Sequence, residues 1–299
     1  MNRYGVPYKG SKNSIAEWVY SHFPQRENFY DLFAGGCAIT QIALMKQKFK
    51  RYFANDIDFD GISLFMNAIH GKYQNETRWI SRDDFFRLKD SDPYIKYAWS
   101  FGNNGRNYLY SKEIEPYKKA WHYAIYFNDF SFAEKLNMNL KSIEKIKDIK
   151  DRYSKVKSIT KKLNNENLSR EISFERQQQL EALNRLQSLQ SLQSLQLSSL
   201  DFMEVKIYKN SVVYCDIPYL NTDKYAAGGF DHQKFYKWAL RQKELVVISE
   251  YYMPDDFMCI DMIEKSVLLN SGASQKALEK LFIPKTQKEL YKKLLNKKR

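Results

Sequence analysis

Four short segments combine residue types that can do chemistry: PYKGSK (7–12), DLFAGG (31–36), ANDI (54–57) and DIPY (216–219). DIPY is the richest. It follows the apolar run VVYC, so Asp216 falls at the carboxyl end of a buried strand, where open α/β sheets bind their ligands. The carboxylate of Asp216 and the main-chain carbonyl of Ile217 can together accept both protons of an amino group. Pro218 stiffens the backbone between them and the ring of Tyr219, which can stack on a planar base. A strand-ending turn containing proline accounts for the same four residues without chemistry.

DLFAGG sits between an apolar strand and a helical pattern. Gly35 and Gly36 let the backbone approach a ligand there, and the helix N-terminus adds a partial positive field. A dinucleotide turn needs G-x-G-x-x-G, which this turn lacks, so a nicotinamide oxidoreductase is a distant reading. S-adenosylmethionine is the other candidate ligand, since its methionine carboxylate can use such a turn; a plain tight turn is the bland alternative. Asp56 ends the next strand, 25 residues after Asp31. A carboxylate there can accept hydrogen bonds from both ribose hydroxyls of a nucleoside cofactor. A surface-turn aspartate in NDIDFD is the competing explanation.

These residues need elements to hold them. Residues 28–57 read as strand (NFYDLF), turn (AGGCA), helix (ITQIALMKQKF) and strand (RYFANDI), a βαβ unit of a parallel sheet. SVVYCDI and ELVVISEYY are apolar runs suited to buried parallel strands, with a helix DHQKFYKWALRQK between them. Asp231 caps that helix, and Phe235, Trp238 and Ala239 line one face. Residues 81–130 look mostly helical: Ser81 and Asp84 stand in capping-box positions, and Asp92-Pro93 supplies a cap followed by proline at the first helical position. FGNNGRNYLYSK interrupts this pattern with no helical period.

Three segments are less easily read. In 133–163, Leu136, Leu140, Ile143 and Ile146 keep helical spacing, and Glu134 to Lys162 holds ten basic against four acidic side chains, a net charge of +6. A solvated helix face explains that charge as well as DNA contact does. From Leu180 to Leu195 leucine recurs every third residue, mostly as Leu-Gln-Ser, a period that fits neither an α-helix nor a strand. A solenoid-like or 3₁₀ stack is one reading, and a spacer or edge element the expected role. The last fifteen residues, KTQKELYKKLLNKKR, carry seven basic groups and one acidic, and read as a frayed basic helix.

The composition sets the wider bounds. With 299 residues, 43% hydrophobic and 28% charged, the chain can bury a core and is no disordered tail. Only 11 residues are glycine, so their pairs mark turns. A net charge of +13 suggests a polyanionic partner, nucleic acid first, with a lysine-rich solvated surface as the alternative and an anionic membrane surface as a weaker one. No apolar run is long enough to span a bilayer, and MNRYGVPYKGSK lacks the apolar stretch of a secretory signal. Three distant cysteines and four scattered histidines predict neither a disulfide framework nor a structural zinc, and a cytosolic chain.

In this order the four segments resemble the Dam-type adenine-N6 DNA methyltransferases of bacteria and phages. PYKGSK is similar to their N-terminal cofactor motif, DLFAGG to their D/E-P-F-x-G-x-G loop, ANDI to the acidic strand end, and DIPY to the catalytic D-P-P-Y. Leu200-Asp201-Phe202 resembles the pocket beside the cofactor adenine; GFDHQKFYKW and ISEYYMP also resemble phage members. The likeness covers about 1–130 and 196–260. It implies an α/β, Rossmann-like S-adenosylmethionine-dependent methyltransferase domain (1–75 and 196–299) with an inserted, mainly helical target-recognition region (76–195).

The resemblance implies that Tyr8 and Lys12 contact the methionine end of the cofactor, that Asp31, Phe33, Gly35 and Gly36 form the wall and turn, and that Asp56 and Ile57 take the ribose end. Asp201 and Phe202 would flank the cofactor adenine. Asp216, Ile217, Pro218 and Tyr219 would act on an adenine flipped out of double-stranded DNA in a bacterial or phage-infected cytoplasm, with no metal and no membrane. Asn103, Asn104, Arg106, Tyr108 and Lys112 are candidates for DNA contact, an ordinary polar loop being the alternative. A restriction endonuclease partner in the same system is left open. Two departures stand out: Ile217 replaces the first proline of D-P-P-Y, and Cys37 takes the last glycine place of the loop. A methyltransferase for RNA or protein glutamine, or a catalytically silent DNA-binding relative, are the rival readings.

Overall fold

The computed structural model describes residues 4–161, 172–220, 229–268 and 274–296. The chain divides into two compact units, one of residues 1–5, 10–65 and 186–299, the other of residues 6–9 and 66–185.

The first unit is built on a sheet with seven strands among the described residues: β1 (Asn28–Asp31), β2 (Arg51–Asn55), β3 (Leu195–Ser198), β4 (Ser211–Asp216), β5 (Leu245–Glu250), β6 (Phe257–Leu268) and β7 (Ser274–Pro284). Their order is β3-β2-β1-β4-β5-β7-β6. The first five are mutually parallel; β7 runs antiparallel to β5, and β6 antiparallel to β7. The continuous apolar runs of β4 and β5 are buried along their length, as parallel strands covered on both faces must be. From β1 the chain passes to β2 on one side, and β4 is added on the other. This switch point puts Asp31, Asn55, Asp216 and Glu250 at the same carboxyl edge of the sheet.

The expected βαβ unit is present, with helix Ala38–Lys46 between β1 and β2. Helix His232–Arg241 lies between β4 and β5, its first turn capped by Asp231, whose side chain accepts from the Lys234 amide. It buries Phe235, Trp238 and Ala239 in a core cluster with Tyr30, Leu32, Phe202, Val213, Ile217 and Ile248. The period-three leucines find their partner in 3₁₀ geometry, at three residues per turn: Ala182–Ser188 and Gln190–Ser194 are both 3₁₀ segments. Leu183 and Leu186 are buried, and the tract runs directly into the edge strand β3. Ser191 pins it to helix Ala38–Lys46 by donating to the Leu44 carbonyl at 2.7 Å. The β6–β7 hairpin was not expected. Asp261 and Glu264 interrupt the apolar pattern of β6, and a register shift between Cys259 and Asp261 breaks its alternation. The basic tail forms helix Lys288–Asn296 with Tyr291 and Leu294 buried.

The second unit is mainly helical. Ser81 and Asp92 cap helices Arg82–Leu88 and Pro93–Ala98 as their sequence positions imply. The helical spacing of Leu136 to Ile146 does not produce one helix. Helix Ser131–Lys135 stops, Asn137 takes a φ of +53°, a 3₁₀ turn covers Lys141–Ile143, and helix Ile149–Lys161 begins afterwards. All four apolar residues still face the same core, beside Trp121, Ile125 and Phe174. Their spacing was set by burial and not by helical continuity.

Candidate active site

The loop after β1 is held from three directions. The Asp31 carboxylate accepts from the Thr40 amide (3.1 Å) and hydroxyl (2.7 Å), tying the strand end to the first turn of the next helix. The Gly35 amide donates to Asp56 at 2.7 Å, which couples the ends of β1 and β2. Gly5, with φ +70°, donates to the buried side chain of Gln41 at 2.5 Å and lies against Gly36 and Ala38. A Cβ at Gly5 would come within 2.7 Å of the Ala38 nitrogen. Cys37 holds φ +58° with its thiol buried. That is the left-handed conformation glycine adopts without strain, and it explains why this place resembles a glycine position.

Around Asp216 the charges are dense. The buried Lys12 ammonium lies 2.6 Å from Asp216 Oδ1, 3.7 Å from Glu279 Oε1 and 4.7 Å from the centroid of the Tyr219 ring. Burial alone pulls Lys12 down, but Asp216 and Glu279 outweigh it and hold the lysine above its ordinary value. The Tyr219 hydroxyl donates to Glu279, and its ring meets Tyr251 edge-on at 4.6 Å. The turn is clamped on both sides. His232 Nε2–H donates to the Pro218 carbonyl at 2.7 Å, and the Leu220 amide donates to Glu250 at 3.1 Å. Ile217 is buried in the core cluster, so the side chain standing in place of the first proline is used for packing while external hydrogen bonds hold the turn.

Carboxylates crowd this edge. Burial, with Asp216 and Asp56 adding their charges, pushes Asp31 up to about 7. Burial likewise raises Asp56 to about 6 and Glu250 to about 7, Asp216 contributing to both. Beside the partly buried Asp56, Ile57 is 64% exposed. Phe33 packs on Phe202 at 5.7 Å and on Phe235 at 5.8 Å. Asp201 accepts from the Met203 amide (2.9 Å) and pairs with Lys234 (3.7 Å). Asp56 uses its oxygens on the Gly35 and Asp58 amides, yet a carboxylate has about four acceptor sites, so capacity for a diol remains. A glycine turn, an acid with spare acceptors, an exposed Ile57 and an aromatic wall suit a nucleoside cofactor with a charged amino-acid end.

The structure thus groups Lys12, Asp31, Phe33, Gly35, Gly36, Asp56, Ile57, Asp201, Phe202 and Asp216 to Tyr219 in the first unit. Tyr8 belongs to the second, where its ring contacts Tyr97 at 4.9 Å. The loop Phe101 to Tyr110 is internally braced. Asn103 donates to the Tyr97 carbonyl and accepts from Arg176 (3.0 Å); Asn104 accepts from the Arg106 and Asn107 amides; buried Tyr108 donates to the Ile80 carbonyl (2.7 Å). Arg106 and Lys112 are exposed. Arg176 is the loop's anchor, its buried guanidinium also donating to the carbonyls of Ala98 (2.6 Å) and Ser100 (2.8 Å).

Gly5, Arg176, His232, Glu250 and Glu279 were missed in the sequence. Gly5 stands two residues before PYKGSK, His232 lies within GFDHQKFYKW and Glu250 within ISEYYMP, so proximity to a motif could have found those three; nothing local marks Arg176 or Glu279. Among the described residues no group of three or more His, Cys, Asp and Glu is arranged to hold a metal ion, and no helix is long and apolar enough to cross a membrane. The family model for D12 class N6 adenine-specific DNA methyltransferases matches residues 8–245, which include PYKGSK from Tyr8 onward, the glycine loop, Asp56 and DIPY. On that match and this arrangement, the chain belongs to the D12 class N6 adenine-specific DNA methyltransferase family.

Proposed function

We propose that the carboxyl edge of the sheet is where this DNA adenine methyltransferase carries out its transfer, with S-adenosylmethionine as donor and an adenine flipped from duplex DNA as acceptor. The observation that carries this reading is the position of Asp216, the Ile217 carbonyl and Tyr219 at the end of β4, one strand from the glycine loop and two from Asp56. Members of the family generally use S-adenosylmethionine, which when bound supplies an electrophilic methyl group on a sulfonium sulfur. Lys12, Asp31 and the turn at Gly35 and Gly36 would hold its amino-acid end, Asp56 and Ile57 its ribose end, and Phe33, Asp201 and Phe202 its adenine.

Asp216 and the Ile217 carbonyl each accept a hydrogen bond from one N–H of the target amino group. An aromatic amine is a poor nucleophile, because its lone pair conjugates with the ring. Two acceptors favour a more pyramidal nitrogen and stabilise the positive charge that grows on it. Tyr219 stacks on the extruded base, and the His232 and Glu250 clamps keep the acceptors and ring in one geometry. In the second unit, Arg106 and Lys112 are the exposed cations for DNA contact, on a loop whose shape Asn103, Asn104 and Tyr108 maintain. The three cysteines are free, in keeping with a reducing cytoplasm.

Labelled methyl transfer from S-adenosylmethionine to unmethylated DNA, followed by nucleoside identification, tests the reading. N6-methyladenine is the expected product. Incorporation into RNA or protein alone, or none at all, would overturn it.

A further inference from the structure

We propose that Glu279 is a positioning residue for methyl transfer: it is the second seat of the Lys12 ammonium, to which the lysine moves when the target amino group takes its place on Asp216. This rests on the reading that Asp216 is a hydrogen-bond acceptor for the target amino group.

Glu279 lies on β7, outside the 8–245 match and far along the chain from every motif. It is 1% exposed, and a buried carboxylate is retained only where it is paired. Its partners are the two groups nearest the chemistry, the Tyr219 hydroxyl and the Lys12 ammonium.

The Lys12 distances are unequal, 2.6 Å to Asp216 and 3.7 Å to Glu279. Without substrate, Asp216 is therefore engaged. A carboxylate neutralised by a contacting ammonium is a weaker acceptor for an amine on which positive charge is growing, so that contact has to loosen. The alternative seat is close: a move of about 1 Å brings Lys12 to normal charge-assisted distance of Glu279. The ammonium stays buried and paired throughout, so no unpaired charge is created in the interior. The Tyr219 hydroxyl, held by the same carboxylate, keeps the stacking ring in register with that exchange.

Glu279→Gln preserves size and an acceptor for the Tyr219 hydroxyl but removes the charge that receives Lys12. Single-turnover methylation at saturating S-adenosylmethionine and DNA should slow about tenfold or more, the range expected for losing a close charge pair. Cofactor and DNA dissociation constants should stay within about threefold, because the loss falls on the chemical step. Glu279→Asp, which keeps the charge, should recover part of the rate. A Glu279→Gln rate within about twofold of wild type would overturn the proposal.

Should that variant fail to fold, the wild-type enzyme decides. It would be crystallised with sinefungin and a duplex bearing the site mapped from its own methylation products. Lys12 is expected within hydrogen-bonding distance of Glu279 and withdrawn from Asp216; a lysine still seated on Asp216 beside a bound adenine would refute the transfer. Asp216→Asn separates the two ideas. If it retains full methylation, the underlying site reading fails. If it is inactive while Glu279→Gln is normal, only the role of Glu279 fails.

Discussion

Gly5→Ala tests how the glycine loop after β1 is held. Gly5 has φ +70°, and an added Cβ would fall 2.7 Å from the Ala38 nitrogen and 2.9 Å from its Cα, with the Gly36 carbonyl closer still. These are backbone atoms and cannot rotate away. The left-handed conformation costs an alanine about 1–2 kcal/mol. Forced displacement of packed neighbours adds roughly 1–3 kcal/mol. Moving Gly5 also weakens its amide bond to buried Gln41, worth about 1 kcal/mol. The total is about 3–6 kcal/mol, a large share of the roughly 5–15 kcal/mol that ordinarily separates folded from unfolded states. Melting temperature should fall on the order of 10 °C. The strain falls on Gly36 and Ala38, so calorimetric titration should also show weakened S-adenosylmethionine binding. An alanine variant with wild-type melting and wild-type affinity would refute the packing described for this loop.

Two further outcomes are expected. Asp31, raised from 3.8 to about 7 mainly by burial, binds its proton more tightly folded than unfolded. The native state thus holds more protons between about pH 4 and 7, and the Asp31 contribution to stability falls as pH rises through that window, by roughly 4 kcal/mol in all. Asp31→Asn keeps an acceptor for Thr40 without the charge, so its stability relative to wild type, by chemical denaturation, should improve from pH 5 to pH 8; a pH-independent difference would contradict this. Arg176→Ala strips three backbone and side-chain acceptors of their buried donor, and should destabilise the second unit by about 3 kcal/mol or more. DNA affinity should drop while S-adenosylmethionine affinity, proposed to rest on residues of the first unit, holds; unchanged DNA binding would remove this loop from the proposed DNA interface.

Much of the fold was legible because its signals are local. Ser81, Asp92 and Asp231 cap helices as their neighbours in sequence imply, and the apolar runs of β4 and β5 suit the buried strands they form. The leucine tract was half legible: its period matched neither α-helix nor strand and fitted the 3₁₀ turns found across its middle, while Leu180 lies in helix Ile172–Glu181 and Leu195 opens β3. The β6–β7 hairpin was hidden because charged residues and a bulge break its alternation. In the site, Asp216 and Asp56 were visible since strand ends and glycine turns have sequence signatures. Glu250 and Glu279 were not, because burial of a carboxylate depends on pairing across the sheet, here β5 with β7, that no spacing encodes. The loop asparagines showed another limit. Asn103 and Asn104 have the composition of base readers, while their side chains brace the loop itself.

The most direct test of the central claim pairs wild type with Asp216→Ala in one assay of N6-methyladenine formed on duplex DNA under single-turnover conditions. With Asp216 as acceptor, the wild-type enzyme forms N6-methyladenine and the alanine variant does so about 100-fold or more slowly, with S-adenosylmethionine binding affected less. An Asp216→Ala enzyme that methylates adenine at a near-normal rate would contradict the account.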